Sequence, residues 1–393
     1  METVTAKDRV LQMAHEEGFA LVRIAGADVL EQSRAAALER EERGLLDGLA
    51  WMTDEWLTRA TDPVLFLDGA RSIVLCALPY ARGDGDPGSD GVTRGRVAAY
   101  AGGRDYHRVF EKKLRRIAAR IRDEFTAGAR ATVDYGPLLE RPLAQVAGIG
   151  WQGKSTMLLA PGFGPWVLLG AVATTVELEP DAPLRKSCGS CVRCVVSCPT
   201  GALGSDGSVL DARLCISYHT IENRGVIPVE LRPKFGAWIF GCDACLESCP
   251  VGAGSTASHP DFVPRSPGDL RPDLNELLLL DESAFLERFR GRPLMRAKRD
   301  GLVRNACIAM GNTGAVHDLP ALLAALHDRS PLVRGHAAWA AAHLCRRLGD
   351  ASSAAGAADV LRARLDVESE AWVREELAAA IISCDAPLPG GTS

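Results

Sequence analysis

Apolar residues recur at helical spacing over residues 8–18, 30–49 and 111–125. In the last stretch Leu114, Ile117, Ala118, Ile121 and Phe125 share one face, while Lys112, Lys113, Arg115, Arg116 and Arg122 lie mostly elsewhere. Other stretches have strand character. Residues 71–79 form an apolar run stopped by proline, which predicts a buried strand. Residues 131–134 predict a short strand that ends at Asp134 before the Gly136-Pro137 turn, and 166–178 a long one. Residues 84–91 are a loop by composition, and 180–183 make a proline-bounded linker. Residues 1–178 thus read as a mixed α/β domain.

The C-terminal third changes character. It is rich in Ala, Leu and Arg, and a unit recurs in it: Gly301-Leu-Val-Arg304, Pro331-Leu-Val-Arg334 and Ala371-Trp-Val-Arg374. A helical unit returning at this interval predicts a HEAT-like solenoid over 259–393, a class that presents an extended binding surface. The plainer alternative is an ordinary helical bundle.

The chain has 393 residues, enough for two or three domains, and is 47% hydrophobic with a net charge of −5. That charge argues against a general nucleic-acid binder, so a basic partner surface has to be local. Residues 1–9 are charged and lack an apolar core, so no secretory leader is expected. The longest apolar stretch, 166–176, is too short to span a bilayer. A reducing, cytoplasmic setting is expected, with the thiols serving iron.

Eight of the twelve cysteines fall in 179–258. Cys188-x-x-Cys191-x-x-Cys194-x-x-x-Cys198-Pro199 is the bacterial ferredoxin run, in which three thiolates hold one [4Fe–4S] cube and the fourth serves the other. The second run, Cys242-x-x-Cys245-x-x-x-Cys249-Pro250, has Ile239 where its first cysteine belongs, and Cys215 is the natural replacement. The assignment is Cys188, Cys191, Cys194 and Cys249 for cluster one, and Cys198, Cys215, Cys242 and Cys245 for cluster two. Zinc would explain the paired C-x-x-C spacings but not two x₃-C-P tails. Cys76, Cys307, Cys345 and Cys384 are expected to be buried apolar residues.

Gly148-Ile-Gly150-Trp-Gln-Gly153-Lys154-Ser155 satisfies both the P-loop and the dinucleotide patterns. Those motifs need a strand before and a helix after. Here the order is reversed: 138–147 is helical in pattern, and 156–160 is a short apolar run. The glycines are expected to let backbone approach something flat and large.

Val133-Asp134-Tyr-Gly-Pro-Leu-Leu-Glu140-Arg141, the Gly148–Lys154 string, Gly103-Arg104-Asp105-Tyr106-His107, Leu210-Asp-Ala-Arg213-x-Cys215-Ile-Ser-Tyr218, Gly241-Cys-Asp-Ala-Cys245 and Arg304-Asn305-Ala306 together resemble the epoxyqueuosine reductase family. The resemblance runs over nearly the whole chain. It implies an α+β multidomain protein: a nitroreductase-like cobalamin-binding domain (1–178), a two-[4Fe–4S] ferredoxin-like module (179–258) and a HEAT-like tail (259–393). It implies reduction of epoxyqueuosine to queuosine at the wobble position (34) of tRNA with a GUN anticodon (Tyr, His, Asp, Asn), the last step of queuosine synthesis. An external low-potential donor supplies electrons, and the chain is expected to act as a monomer.

Removing an epoxide oxygen as water takes two electrons and two protons, and cofactors must carry the electrons. The family's proton donor falls on Asp134, for which burial away from positive charge would raise the pKa. Arg59, Val97, Lys154, Ser155, Ser217 and Asp243 fall in segments that line the corrinoid in the family. Three departures stand out: Tyr135 in place of a small hydroxyl residue, Ser155 in place of Asn or His, and Val251-Gly-Ala after the last Cys-Pro. For tRNA the informative stretch is 287–304, where Arg288, Arg290, Arg292, Arg296, Lys298, Arg299 and Arg304 face only Glu287 and Asp300, a local charge of +5. Arg292, Arg296, Lys298, Arg299 and Arg304 are its candidate contacts. The rivals are a corrinoid-dependent reductive dehalogenase acting on a small molecule, and a plain electron-transfer ferredoxin with an interaction domain. The second leaves the α/β part and Asp134 unexplained.

Overall fold

A computed structural model describes residues 4–80, 90–207 and 209–387. Most of the loop expected at 84–91, and the first three residues of the charged N-terminus, lie outside the described residues. The chain divides into two compact units of mixed helix and sheet. Unit one comprises 1–82, 103–213 and 243–263; unit two comprises 83–102, 214–242 and 264–393.

Unit one is built on an antiparallel sheet of β1 (Leu21–Gly26), β2 (Ser72–Pro79), β3 (Ala129–Thr132) and β4 (Val167–Thr174), in the spatial order β1-β2-β4-β3. Every residue of β2 is buried, as its unbroken apolar sequence requires of a strand covered on both faces. The helices α1 (Ala6–Glu16) and α2 (Tyr106–Phe125) pack together, and α2 lies on β4. The apolar face of α2 is largely the expected one: Leu114, Ile117, Ala118 and Ile121 are buried, Phe110 extends the face toward the N-terminus, and Phe125 at the end is half-buried. Gly170 of β4 makes the approach possible, since a Cβ there would fall 2.7 Å from both Phe110 and Leu114. The helix α3 (Glu140–Val146) packs on β1, β2 and β4 through Leu143 and Ala144. The helix expected over 30–49 is shorter, Glu31–Glu42. Gly44 and Gly48, at φ +65° and +91°, end it in turns.

In unit two, Arg96–Val97 pairs in parallel with Trp238–Phe240. Helices α4 (Ile216–Ile221), α5 (Lys298–Thr313), α6 (Pro331–Leu348), α7 (Ala351–Val367) and α8 (Ala371–Asp385) make most of the rest. Helix α6 packs against α5 and α8, and α7 against α8. The recurring Val-Arg pair now has a physical meaning. Val303, Val333 and Val373 are each fully buried in one core. Each arginine donates to main-chain carbonyls where an earlier helix or turn ends: Arg304 to His219, Asn223 and Gly225, Arg334 to Asp328 and Arg329, Arg374 to Leu365 and Glu368. A guanidinium at such an end satisfies carbonyls left without a helical partner. Arg334 is further held by Glu368, at 2.7 and 2.8 Å. Among the described residues no helix is long and apolar enough to cross a membrane.

Candidate functional site

The site in unit one starts where β3 stops. The strand ends at Thr132, two residues short of the expected boundary, because Asp134 takes a left-handed φ of +48° that breaks extended pairing. The Tyr135 amide donates to the Val133 carbonyl at 2.5 Å, closing a three-residue turn on Asp134. Aspartate is among the few residues that occupy this region at modest cost. Gly136 is required next: a Cβ there would sit 1.6 Å from Thr132 Oγ1. The turn leaves the Asp134 side chain 61% exposed, while its amide donates to Glu140 Oε1 at 2.6 Å.

Opposite stands His107, in the first turn of α2. Asp105 caps that helix by accepting the His107 amide at 3.1 Å, and the same Oδ1 lies 2.7 Å from His107 Nδ1. His107 Nε2 lies 3.0 Å from Asp134 Oδ2. The imidazole sits between the rings of Tyr106 (4.1 Å) and Tyr135 (5.6 Å), each inclined by 27°. The Tyr135 hydroxyl is anchored on Glu111 at 2.7 Å. The result is a carboxylate–imidazole–carboxylate line with its central ring clamped.

Charge follows from this geometry. Burial pushes His107 down, but the carboxylates of Asp105 and Asp134 outweigh it and raise its pKa to about 9. Burial pushes Asp134 up, but the hydrogen bond and charge of His107 hold it below its ordinary value. The expectation that Asp134 lies away from positive charge is therefore corrected: His107 stands 3.0 Å away, and its hydrogen bond and charge favour the ionised carboxylate. Glu140 moves the other way, to about 8, through burial and then the nearby Asp134 charge. The sequence reading gives a role to Asp134 but to neither His107 nor Glu140, although both stand in the strings that carry the resemblance.

These shifts predict a pH profile. A raised imidazole keeps its proton below its folded-state pKa and loses it as pH rises through about 9, while Glu140 becomes an additional anion from about 8. Single-turnover rates should hold near neutrality and fall on the alkaline side. His107→Gln should be slow throughout and lack that limb. An identical alkaline limb in the variant would remove His107 from the proton path.

Of the corrinoid candidates in unit one, Arg59 is exposed in the last turn of Asp54–Ala60, and Ser155 and Asp243 are 4% and 5% exposed. Lys154 Nζ donates to the Gly189 carbonyl at 2.9 Å, tying it to the first cysteine loop. In unit two, Ser217 lies in α4, and Val97 is packed in the apolar core with its amide bound to the Leu270 carbonyl at 3.0 Å. The Val97 side chain is thus part of that core. The glycine string 148–155 follows α3 and enters a hairpin of Trp151–Gln152 with Leu158–Leu159, so the P-loop order is absent, as expected. In that hairpin Trp151 Nε1 is buried with no hydrogen-bond partner among the described residues, a donor suited to a ligand rich in amide carbonyls.

Among the described residues no cysteine is joined in a disulfide, and Cys76, Cys307, Cys345 and Cys384 are buried as expected. Among the described residues no three His, Cys, Asp or Glu side chains converge as ligands of a single metal ion. In unit one the short helices Arg193–Val196 and Ala244–Glu247 pack together. Burial raises the thiols of Cys194 and Cys249, and like charge from Cys188 acts on both, with Cys191 also acting on Cys249. Cys249 thus lies close enough to the first run to feel its charge. Cys198 is pushed up by burial, but hydrogen bonds from Thr200 and from the amides of Thr200, Ala202 and Leu203 bring it below its ordinary value. Such donors suit a cluster thiolate. Cys245 also lies in unit one, while Cys215 and Cys242 lie in unit two. Cys215 precedes α4, and Gly241 N–H donates to Thr220 Oγ1 of that helix at 3.0 Å. Asn305 Nδ2 bridges the Thr220 and Ile239 carbonyls at 3.0 and 2.8 Å, so α5 fixes the segments that carry Cys215 and Cys242. Ile239 is fully buried within its strand and could not serve as the missing ligand.

The basic stretch divides by depth. Arg299 is 5% exposed and tied to Asp328, and Arg304 is fully buried on carbonyls. Neither can reach a phosphate, and both are corrected to structural roles. Arg292 is largely buried, bonded to Asp269 and the Gly102 carbonyl. Arg288, Arg290, Arg296 and Lys298 are exposed, with Arg296 also paired to Glu222 at 3.0 Å.

A family model for a 4Fe-4S double cluster binding domain matches residues 187–252, and one described as epoxyqueuosine reductase QueG, DUF1730, matches 60–135. The epoxyqueuosine reductase of Xanthomonas campestris pv. campestris is 37% identical over 86% of this chain and 96% of its own length. That of Escherichia coli K12 is 35% identical over 86% and 89%. Among solved structures, an epoxyqueuosine reductase with a tRNA-Tyr epoxyqueuosine-modified stem loop superposes with a TM-score of 0.89 at 30% identity, covering 97% of this chain and 99% of that one. The Bacillus subtilis epoxyqueuosine reductase, solved with its catalytic loop swung out of the active site, gives 0.87 at 30% identity, over 96% and 98%. With the cysteine framework and the Asp134 turn in place, the chain belongs to the epoxyqueuosine reductase family.

Proposed function

We propose that the chain reduces epoxyqueuosine to queuosine at the wobble position of GUN-anticodon tRNA, as a cytoplasmic monomer using cobalamin and two [4Fe–4S] cubes. The observation that carries the reading is the Asp105–His107–Asp134 line, a proton store placed on an exposed turn. The three-part division at 178 and 258, with a nitroreductase-like first part and a HEAT-like last, is retained as a functional one. Cobalamin, when bound, would supply the low-potential cobalt centre that the cubes feed one electron at a time. The buried Trp151 donor fits such an amide-rich ligand, and Arg59, Val97, Asp134, Lys154, Ser155, Ser217 and Asp243 remain its candidate contacts. This chain's part is proton delivery. His107 Nε2 holds a proton 3.0 Å from Asp134 Oδ2, and Asp134 passes it to the departing epoxide oxygen while Asp105 steadies the imidazole. The test is anaerobic incubation of the reconstituted holoenzyme with epoxyqueuosine-tRNA, reading the nucleoside by mass for loss of one oxygen. Unchanged tRNA together with consumption of an organohalide would shift the reading to a dehalogenase.

The exposed members of the basic stretch are assigned to the tRNA backbone. Reversing Arg288, Arg290, Arg296 and Lys298 to Glu should weaken tRNA binding and flatten its salt dependence by roughly one unit of slope per lost phosphate contact. Iron content should not change. Equal affinity and slope across a salt series would send the search to the cationic side of α2.

A further inference from the structure

The first cysteine run presents a face that neither the proton line nor the tRNA assignment uses. Residues 182–205 carry Arg185, Lys186 and Arg193 and no Asp or Glu, in a chain whose net charge is −5. All three cations are exposed. Beside Arg193, Val196 is 79% and Val192 38% exposed. These valines are neighbours, joined by the Val196 amide and Val192 carbonyl at 3.1 Å. An isolated exposed valine is ordinary. Here two lie at the rim of a hollow of about 830 Å³ that is lined by Cys188, Cys191, Arg193, Ser248 and Pro250. The surface therefore combines a small apolar patch, the Arg193 cation at the hollow with Arg185 and Lys186 exposed just ahead of the first cysteine, and access to Cys188 and Cys191.

Resting on the two-cube reading above, we infer that this face is where a small acidic ferredoxin docks to deliver electrons. Electron-transfer encounters use small, transient interfaces, so a few valines and cations suffice. Opposite charge steers the encounter and accelerates it at low salt. In each encounter one electron leaves the carrier's reduced iron–sulfur centre and enters the oxidised cube. The carrier is oxidised and the cube reduced by one electron, and no bond or proton moves.

The experiment follows reduction of the reconstituted holoenzyme by a reduced acidic two-iron ferredoxin, in anaerobic stopped flow across a salt series. Dithionite reduction and iron content are measured in parallel. Two variants are compared: Arg185→Glu with Lys186→Glu, outside the cysteine run, and Arg193→Glu with Val196→Asp, inside it. Both should slow the ferredoxin reaction about 10-fold or more at low salt and flatten its salt dependence. Dithionite reduction, iron and tRNA affinity should stay at wild-type levels. If the second variant loses iron, the first decides. Wild-type ferredoxin kinetics in the iron-replete variants overturn the assignment, and so does a loss of tRNA affinity with ferredoxin kinetics intact, which would make the face an RNA contact. Absence of cubes from the wild-type protein would instead refute the underlying two-cluster reading.

Discussion

Replacing Asp134 with Asn should cut turnover by about 100- to 10,000-fold, the range a positioned general acid contributes. The substitution isolates proton transfer because the turn tolerates it. Asparagine, like aspartate, accepts a φ of +48°, and the side chain is 61% exposed, so no core contact is lost. An amide can still accept a hydrogen bond from His107 Nε2, but it cannot take the proton and hand it on. Its neutrality also withdraws one of the two charges that raise His107, whose pKa should therefore fall from about 9. The second effect separates a chemical role from a structural one: NMR titration of the imidazole should show the drop, while iron content, corrinoid content and tRNA affinity stay constant. Turnover near the wild-type rate, whatever the imidazole does, would remove Asp134 from the mechanism.

What could be read from the sequence follows how local each feature is. The cysteine runs were legible because ligand spacing within a few residues is the signal itself. Helix α2 and strand β2 were legible because each buries what its periodicity says it buries. The proton line was not, because His107 and Asp134 are 27 positions apart and meet only through a helix N-terminus and a left-handed turn. With His107 hidden, the sign of the Asp134 shift came out reversed. The basic stretch failed for another reason. Helix α5 is buried nearly all round, from Gly301 to Gly311, so it has no polar stripe from which to tell inward from outward arginines. A count of charges treats Arg304 and Arg296 alike, although one is sealed on main-chain carbonyls and the other is exposed. The recurring Val-Arg pair likewise showed that a unit repeats, but not that its arginine closes a preceding turn.

Cys215→Ala should remove one cube and leave the other, lowering iron from about eight to about four atoms per chain. The second cysteine run cannot compensate from within. The residue at its missing position, Ile239, is apolar and fully buried in a strand, so Cys198, Cys242 and Cys245 would be left as three thiolates for a cube that needs four. Misfolding is not the expected cause of the loss. Cys215 stands just before α4, and that helix is held by bonds that do not involve the thiol: Gly241 N–H to Thr220 Oγ1, and Asn305 to the Thr220 carbonyl. Cluster one should persist because the four thiolates assigned to it, Cys188, Cys191, Cys194 and Cys249, do not include Cys215. Mössbauer spectra of the ⁵⁷Fe-reconstituted protein should therefore show half the cube signal. Cys307→Ala, which alters a fully buried thiol in the core of unit two, should keep all of it. Two intact cubes in Cys215→Ala would mean that cluster two draws its fourth ligand from elsewhere, and a complete loss of iron would mean that the cubes assemble as one cooperative unit.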